Sequence, residues 1–125
     1  MEHSKPIKLV WYDTSVMTDD NQKLYKNLNE ICSQCFEFTA EDECKRFLGR
    51  KHINPNRVIL ITSGVIGENF VPLIHDYSSI VSIYIYCTYR EKHEKWANKY
   101  SNVKVTTEPD ELIENIQADI TKYNA

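Results

Sequence analysis

Two patterns of apolar positions alternate along the chain. Short runs of consecutive apolar residues, rich in β-branched and aromatic side chains, are separated by stretches in which apolar residues recur every three or four positions. The runs are typical of strands that are buried on both faces, and the stretches are typical of amphipathic helices. The predicted strands are residues 7–13, 35–38, 57–62, 80–87 and 103–106. The predicted helices are residues 19–32, 39–49, 68–77, 90–100 and 109–123.

Local signals set three of the helix boundaries. Thr39 is expected to cap the second helix, which either Gly49 or the Asn54-Pro55 pair ends. The third helix is expected to begin near Glu68, because Pro72 fits a helix best in its first turn.

Five strands, each followed by a helix, predict one fold class. Short connections and right-handed crossovers favour a three-layer α/β domain with a doubly wound, five-stranded parallel sheet in the order 2-1-3-4-5, which is the flavodoxin-like arrangement. The chain of 125 residues is too short to form an eight-stranded α/β barrel. We therefore expect a single domain over residues 1–125, with a core over about 7–123.

Composition excludes several classes of partner. The net charge is −3 and no basic block occurs, so a nucleic-acid partner is not expected. No apolar run is long enough to cross a membrane, and the amino terminus has no apolar leader segment, so a cytoplasmic location and no membrane partner are expected. The four cysteines are expected to be reduced.

Small polar residues follow the predicted strands. In a doubly wound sheet, ligands bind at the carboxyl ends of the strands, so these residues predict a site for a small anionic ligand. Arg90 would meet a phosphate or carboxylate, and Asp13 a ribose hydroxyl. No catalytic residue, metal ligand or cofactor is assigned. The candidate ligand-binding residues are Asp13, Thr14, Ser63, Gly64, Thr88 and Arg90.

Cys32 and Cys35 have the spacing of a redox or zinc motif, but both interpretations are disfavoured. A reactive thiol of this kind usually lies at a helix amino terminus, whereas Cys32 falls at a predicted carboxyl terminus. The histidines His52, His75 and His93 do not have the spacing of further zinc ligands.

The chain length and repeat pattern resemble the response-regulator receiver family. That family places an acidic pair after strand 1, a phosphoacceptor Asp after strand 3, a hydroxyl after strand 4 and a Lys after strand 5. Here Asp13 stands alone, Ser63 occupies the acceptor region and Thr88 matches the hydroxyl, while Thr106 or Thr107 replaces the Lys. The resemblance implies a receiver-like domain without phosphoacceptor chemistry.

A second resemblance covers most of the chain. The segments IKLVWYDTSV, RVILITSGVIGENFVPLIHDYSSIVSIYIYC and REKHEKWANKYSNVK are similar to an N-terminal domain of large invertebrate proteins, notably of rotifers. In those proteins the domain precedes tetratricopeptide repeats or an ADP-ribosyltransferase domain. The resemblance implies a cytosolic accessory domain in multidomain signalling proteins. The layout is also TIR-like, but no residue matches the Glu of NAD-cleaving TIR domains.

These observations predict a non-catalytic signalling domain that binds a protein partner or a second copy of itself. The fourth helix and the face of strand 5 and helix 5 are the expected contact surface. The alternatives are a small-ligand sensor or TIR-like NAD-processing enzyme with its pocket at the strand ends, and a structural cap on a neighbouring repeat array. The charged rim of the expected surface is Glu91, Lys92, Glu94 and Lys95.

Overall fold

A computed structural model describes residues 7–14, 19–32, 34–49 and 57–124, so His52, Asn54 and Pro55 lie outside the described residues. Strands and helices alternate along the chain. The elements are β1 (Lys8–Tyr12), α1 (Asp19–Ile31), β2 (Cys35–Phe38), α2 (Glu41–Leu48), β3 (Val58–Ser63), α3 (Gly64–Ile74), β4 (Ile80–Tyr86), α4 (Arg90–Ala97), β5 (Val103–Thr106) and α5 (Pro109–Asn124).

The five strands form one parallel sheet in the order β2-β1-β3-β4-β5. The central strand β3 is buried along nearly its whole length, as its uninterrupted apolar run predicts. The predicted fold class is therefore confirmed, and the chain has a flavodoxin-like, three-layer α/β fold.

The sheet has a separate apolar core on each face. Because side chains alternate along a strand, Leu60 enters one core and its neighbour Ile61 enters the other. The first core receives the buried stripes of α2, α3 and α4, including Phe47 and Phe70. The second receives those of α1 and α5, including Leu112. The two faces, called below the α2–α4 face and the α1–α5 face, fix which side chains meet at the sheet edge.

The predicted start of α3 is wrong. The helix begins at Gly64, directly after β3, because the Ser63 hydroxyl accepts a hydrogen bond from the Ile66 amide at 3.3 Å and caps the first turn. Pro72 consequently lies in the last turn rather than the first. It is tolerated there because the helix continues only to Ile74, so few backbone bonds follow the one that Pro72 cannot make.

Three other helix ends differ slightly from expectation, and one of them is that of α3, which ends at Ile74 rather than at residue 77. The cap of α2 is Ala40, whose side chain makes no capping bond, instead of Thr39. The acidic residues of its first turn, beginning with Glu41, supply favourable charge near the helix amino terminus. The predicted end at Gly49 is confirmed, and α4 ends at Ala97 rather than at residue 100.

Candidate functional site

The carboxyl ends of the strands meet along one edge of the sheet. The register pairs Ser63 of β3 with Tyr86 of β4, and Tyr86 with Thr106 of β5, so these strands end level with one another. The predicted ligand-binding residues follow the strands at this edge. They are Asp13 and Thr14 after β1, Ser63 and Gly64 at the start of α3, and Thr88 and Arg90 at the start of α4.

The Ser63-Gly64 turn is occupied by packing within the protein. The Ser63 hydroxyl caps α3, and Gly64 is buried beneath the imidazole ring of His93. A Cβ atom at residue 64 would lie 2.6 Å from Cε1 of His93, which is far inside van der Waals contact. Glycine is therefore needed here for the approach of a side chain, and not for the approach of a phosphate group.

His93 is a buried histidine that sequence patterns did not assign to this edge. Its side chain is 4% exposed, and its Nδ1 accepts a hydrogen bond from Nε1 of Trp96 at 3.1 Å. Burial lowers the His93 pKa, Lys92 lowers it further and Glu68 opposes the shift. Because Nδ1 accepts this bond from Trp96, the neutral form of the ring carries its proton on Nε2. His93 and Trp96 lie three residues apart on the inner side of α4. This helical spacing is the feature of the sequence that could have predicted a buried His93.

The hydroxyl and carboxyl groups near β1 and β4 differ in exposure. Asp13 is half-buried, and its backbone amide continues the sheet by donating to the Phe38 carbonyl at 3.1 Å. Thr14 and Thr88 are both exposed. The edge thus presents one partly covered carboxylate after β1 and solvated hydroxyls after β1 and β4.

Arg90 is held by carboxylates. Its Nη2 donates to Oε1 of Glu111 at 3.0 Å, and its Nη1 lies 3.8 Å from Oε2 of Glu94. An anionic ligand would have to displace these carboxylates. The sequence analysis did not predict that Arg90 pairs with Glu111. Both residues lie in the first turns of helices that follow adjacent strands, and this shared position could have predicted the pair.

A cleft of about 310 Å³ lies beside Arg90. Of the six predicted ligand-binding residues, only Arg90 lines it. Its floor is β5, and its rims come from α4 and α5. The described residues that line it are Arg90, Glu94, Asn98, Val103, Lys104, Val105, Thr106, Glu111 and Asn115.

Two buried hydroxyls in the described part of the chain have no hydrogen-bond partner, those of Thr62 and Thr106. Thr62 lies against Gly67 of α3 on the α2–α4 face. Thr106 follows Val105, which belongs to the α2–α4 core, so Thr106 lies on the α1–α5 face. Because the sheet separates the two hydroxyls, a small ligand on one face cannot bind both.

The predicted charged rim lies on α4. Glu91, Lys92 and Lys95 are exposed, and Glu94 is half-buried beside Arg90. Charges of both signs therefore alternate along α4. One of them, that of Arg90, reaches Glu111 of α5.

A second cleft, of about 490 Å³, lies at the opposite end of the sheet. It is formed where α2 ends at Gly49 and beside Tyr77, which follows α3. Asp42, Lys45 and Arg46 also line it. None of the predicted ligand-binding residues contributes to this cleft.

Over the residues that the structure describes, no cluster of three or more His, Cys, Asp or Glu side chains has the geometry of a metal site. Within the same ranges, no helix is long and apolar enough to cross a membrane. No known protein family, curated protein or solved structure matches the chain.

Proposed function

We propose that this chain is a non-catalytic, receiver-like accessory domain that associates with a second copy of itself. The contact surface is the face formed by α4, β5 and α5, called below the α4–β5–α5 face. One observation carries the proposal: an open cleft runs along β5, and a solvent-exposed ion pair between Arg90 and Glu111 joins its two rims.

The edge position of β5 leaves this side of the sheet uncovered. Among the strands that the structure describes, β5 pairs with β4 alone, and all four residues of β5 line the cleft. The strand is short and carries the exposed Lys104, two features that discourage indiscriminate pairing with another strand. Contact through side chains on the helical rims therefore has better support than extension of the sheet.

The Arg90–Glu111 pair gives the face one contact that a second copy can complement, and Glu94 lies beside Arg90 on the same rim. Arg90 lies on the α4 rim and Glu111 on the α5 rim. Both side chains are more than 40% exposed, so their bond within one chain contributes little stability and can be exchanged. In a two-fold dimer, Arg90 of one copy can pair with Glu111 of the other, and this pair then occurs twice.

An exposed aromatic side chain adjoins the charged rims. Tyr89 directly precedes α4 and is 69% exposed, one of three large apolar side chains exposed among the described residues. Tyrosine is enriched among the residues that contribute most to protein–protein binding. Tyr89 thus supplies an apolar anchor beside Arg90.

The alternative, a pocket at the strand ends for a small anion or an NAD-related ligand, has weaker support. Ser63 caps a helix and Gly64 is covered by His93, so neither is open to a ligand. By analogy with the multidomain proteins that the sequence resembles, association of this domain would bring attached effector domains together.

Reciprocal charge reversal tests the proposed dimer. Arg90→Glu and Glu111→Arg each place like charges across the interface of their own homodimer, so each variant alone is expected to be monomeric by sedimentation equilibrium. When the two variants are mixed, the two introduced charges face each other at one contact and the two original charges face each other at the second. Both contacts then join opposite charges, so the mixture is expected to form a heterodimer.

The matched controls are Arg46→Glu and Glu43→Arg, which make the same charge changes at exposed positions on α2. Both are expected to associate like the unmodified chain. The proposal is wrong if the unmodified chain is monomeric throughout, or if the mixed variants do not associate. A thermal-shift panel of NAD, nucleotides and phosphate addresses the alternative, because a binding ligand would raise the unfolding midpoint.

A further inference from the structure

Helix α4 packs against α3 through two ring side chains that lie on two glycines. The His93 ring covers Gly64, and Trp96 lies against Gly67, where an added Cβ atom would be 3.3 Å from Cη2 of the indole. The two rings are three residues apart, as are the two glycines, so each pair shares one side of its helix. Nε1 of Trp96 donates to Nδ1 of His93 at 3.1 Å and joins the rings. The contact between α3 and α4 therefore contains a hydrogen-bonded pair of side chains.

The buried side of α4 is narrow. The helix has eight residues, of which His93 and Ala97 are buried and Trp96 is half-buried. Tyr89 at its amino terminus makes no side-chain capping bond. An element with few buried side chains separates from the rest of a domain at a lower free energy than the core strands do. A change that disturbs His93 therefore acts on α4 before it acts on the sheet.

We propose that His93 is a pH-sensitive residue, and that its protonation in mild acid releases α4 from α3 and thereby weakens self-association. The inference rests on the proposed function, because α4 carries Arg90 and directly follows Tyr89, two residues of the proposed contact between copies. When α4 leaves its place on α3, these two side chains lose the positions that the α4–β5–α5 face requires.

Protonation removes the acceptor that joins the two rings. A neutral imidazole has one N–H group and one bare nitrogen, and in His93 the bare Nδ1 accepts from Trp96. The added proton binds to Nδ1, so two N–H groups then face each other and the hydrogen bond is lost. The ring also becomes a charged group that is only 4% exposed. Because burying an unpaired charge is unfavourable, the ring moves towards water and α4 moves with it.

The groups around the ring favour its neutral form. Burial lowers the His93 pKa, the positive charge of Lys92 lowers it further, and the exposed Glu68 of α3 opposes the shift. Cys87, which follows β4, lies on the same face of the sheet, and burial raises the pKa of its thiol, so it is uncharged in mild acid. Lys104 of the neighbouring strand β5 lies over an aromatic ring of the α1–α5 core, on the opposite face.

Acid consequently favours the released helix. Once α4 leaves α3, the His93 ring is in water, where a histidine has a pKa of about 6.5 and binds a proton more readily than in the packed structure. Each pH unit below that value therefore favours release by up to about tenfold. The proposed dimer needs α4 in place in both copies, so its dissociation constant rises as the packed fraction falls.

The indole N–H signal of Trp96 in a proton–nitrogen NMR spectrum tests the release itself. The chain has two tryptophans, and Trp11 is buried on the α1–α5 face, so its signal is the internal control. Between about pH 7.5 and about pH 5.5 the Trp96 signal is expected to move while the Trp11 signal stays in place. Trp96→Phe identifies the signal by removing it. The same movement is expected in Glu111→Arg, which should be monomeric. A Trp96 signal that does not move in the folded chain overturns the inference.

Sedimentation equilibrium at the same two pH values tests the effect on the dimer. The dissociation constant of the unmodified chain is expected to rise roughly threefold or more on acidification. His93→Asn is the matched control, because its amide oxygen can accept from Trp96 near the position of Nδ1 and does not titrate. Acid should therefore change the dimer of this variant much less. Any response that remains in His93→Asn measures the other titrating groups of the chain.

The outcomes separate this inference from the proposed function. If the unmodified chain is monomeric at the higher pH, the proposed function is wrong, and the acid effect on a dimer is wrong with it. If the chain dimerises but acid does not weaken the dimer, or weakens that of His93→Asn equally, the inference is wrong and the proposed function stands. Should His93→Asn not fold, the Trp96 signal of the unmodified chain decides whether acid releases α4.

Discussion

The imidazole of His93 lies directly against the backbone of Gly64 and thereby joins the start of α3 to the inner side of α4. The ring has little freedom to retreat, because Trp96 donates a hydrogen bond to its other nitrogen. Residue 64 must therefore be glycine, because the His93 side chain of α4 packs against its backbone.

Gly64→Ala is expected to lower the free energy of unfolding by about 1–3 kcal/mol, because the added methyl group overlaps the His93 ring. Urea denaturation measures the change. His93→Ala in the same chain should recover part of the loss, since it removes the group that is struck. Gly49→Ala is the control, because its Cβ would make only ordinary contacts, the nearest at 3.5 Å. Equal losses at both glycines would contradict this account.

The buried His93 predicts a loss of stability in mild acid. Its pKa is lowered in the folded state, so the unfolded chain, with a His pKa near 6.5, binds more protons as the pH falls below that value. The urea midpoint should therefore be level above about pH 7 and fall towards pH 5. His93→Gln should reduce this slope, because it removes the group that titrates. An unchanged slope in His93→Gln would contradict the prediction.

A buried hydroxyl pair on Asp119 predicts an order of stabilities. The fully buried Tyr84 donates to Oδ2 of Asp119 at 2.5 Å, and Ser82 donates to the same oxygen at 2.9 Å. Asp119→Ala leaves both donors without this acceptor and should cost about 1.5–3 kcal/mol. Tyr84→Phe removes one donor and should cost less, and Asp119→Asn keeps an acceptor oxygen and should also cost less. Urea denaturation gives the order, and an Asp119→Ala loss no larger than the other two would contradict it.

The sheet could be predicted because its signal is redundant. The segment Val58–Ile61 of β3 is apolar at every position, which fits a strand covered on both faces, and five alternating units leave few parallel topologies. The start of α3 was missed because Ser63-Gly64 has the composition of a turn. In the structure the same two residues cap a helix and accommodate His93.

The location of the strand-end residues was also predictable, but their partners were not. Parallel topology brings the residues that follow β1, β3 and β4 to one edge whatever their chemistry. Whether Arg90 is open to a ligand depends on its contact with Glu111. That contact depends in turn on how α4 and α5 are rotated about their axes. Likewise, the cysteine spacing gave the position of Cys32 but not the hydrogen bond that its sulfur donates to the Ile7 carbonyl at 3.2 Å.

The exposed Tyr89 predicts a weakening of self-association that charge alone does not explain. Tyr89→Ala should raise the dimer dissociation constant about tenfold or more, because it removes an aromatic anchor worth on the order of 2 kcal/mol at an interface. Sedimentation equilibrium at two salt concentrations measures the change. Since the Arg90–Glu111 pair is solvent-exposed, added salt should weaken the dimers of the unmodified chain and of Tyr89→Ala alike.

Leu73→Ala is the matched control for this experiment. Leu73 is also a large exposed apolar residue, 44% exposed, but it lies near the end of α3 and outside the α4–β5–α5 face. Its removal should leave the dissociation constant within about twofold of the original, within the small effects expected away from an interface. If the two variants raise the dimer dissociation constant equally, the contact surface lies elsewhere. If Tyr89→Ala has no effect on it, Tyr89 is not part of the interface.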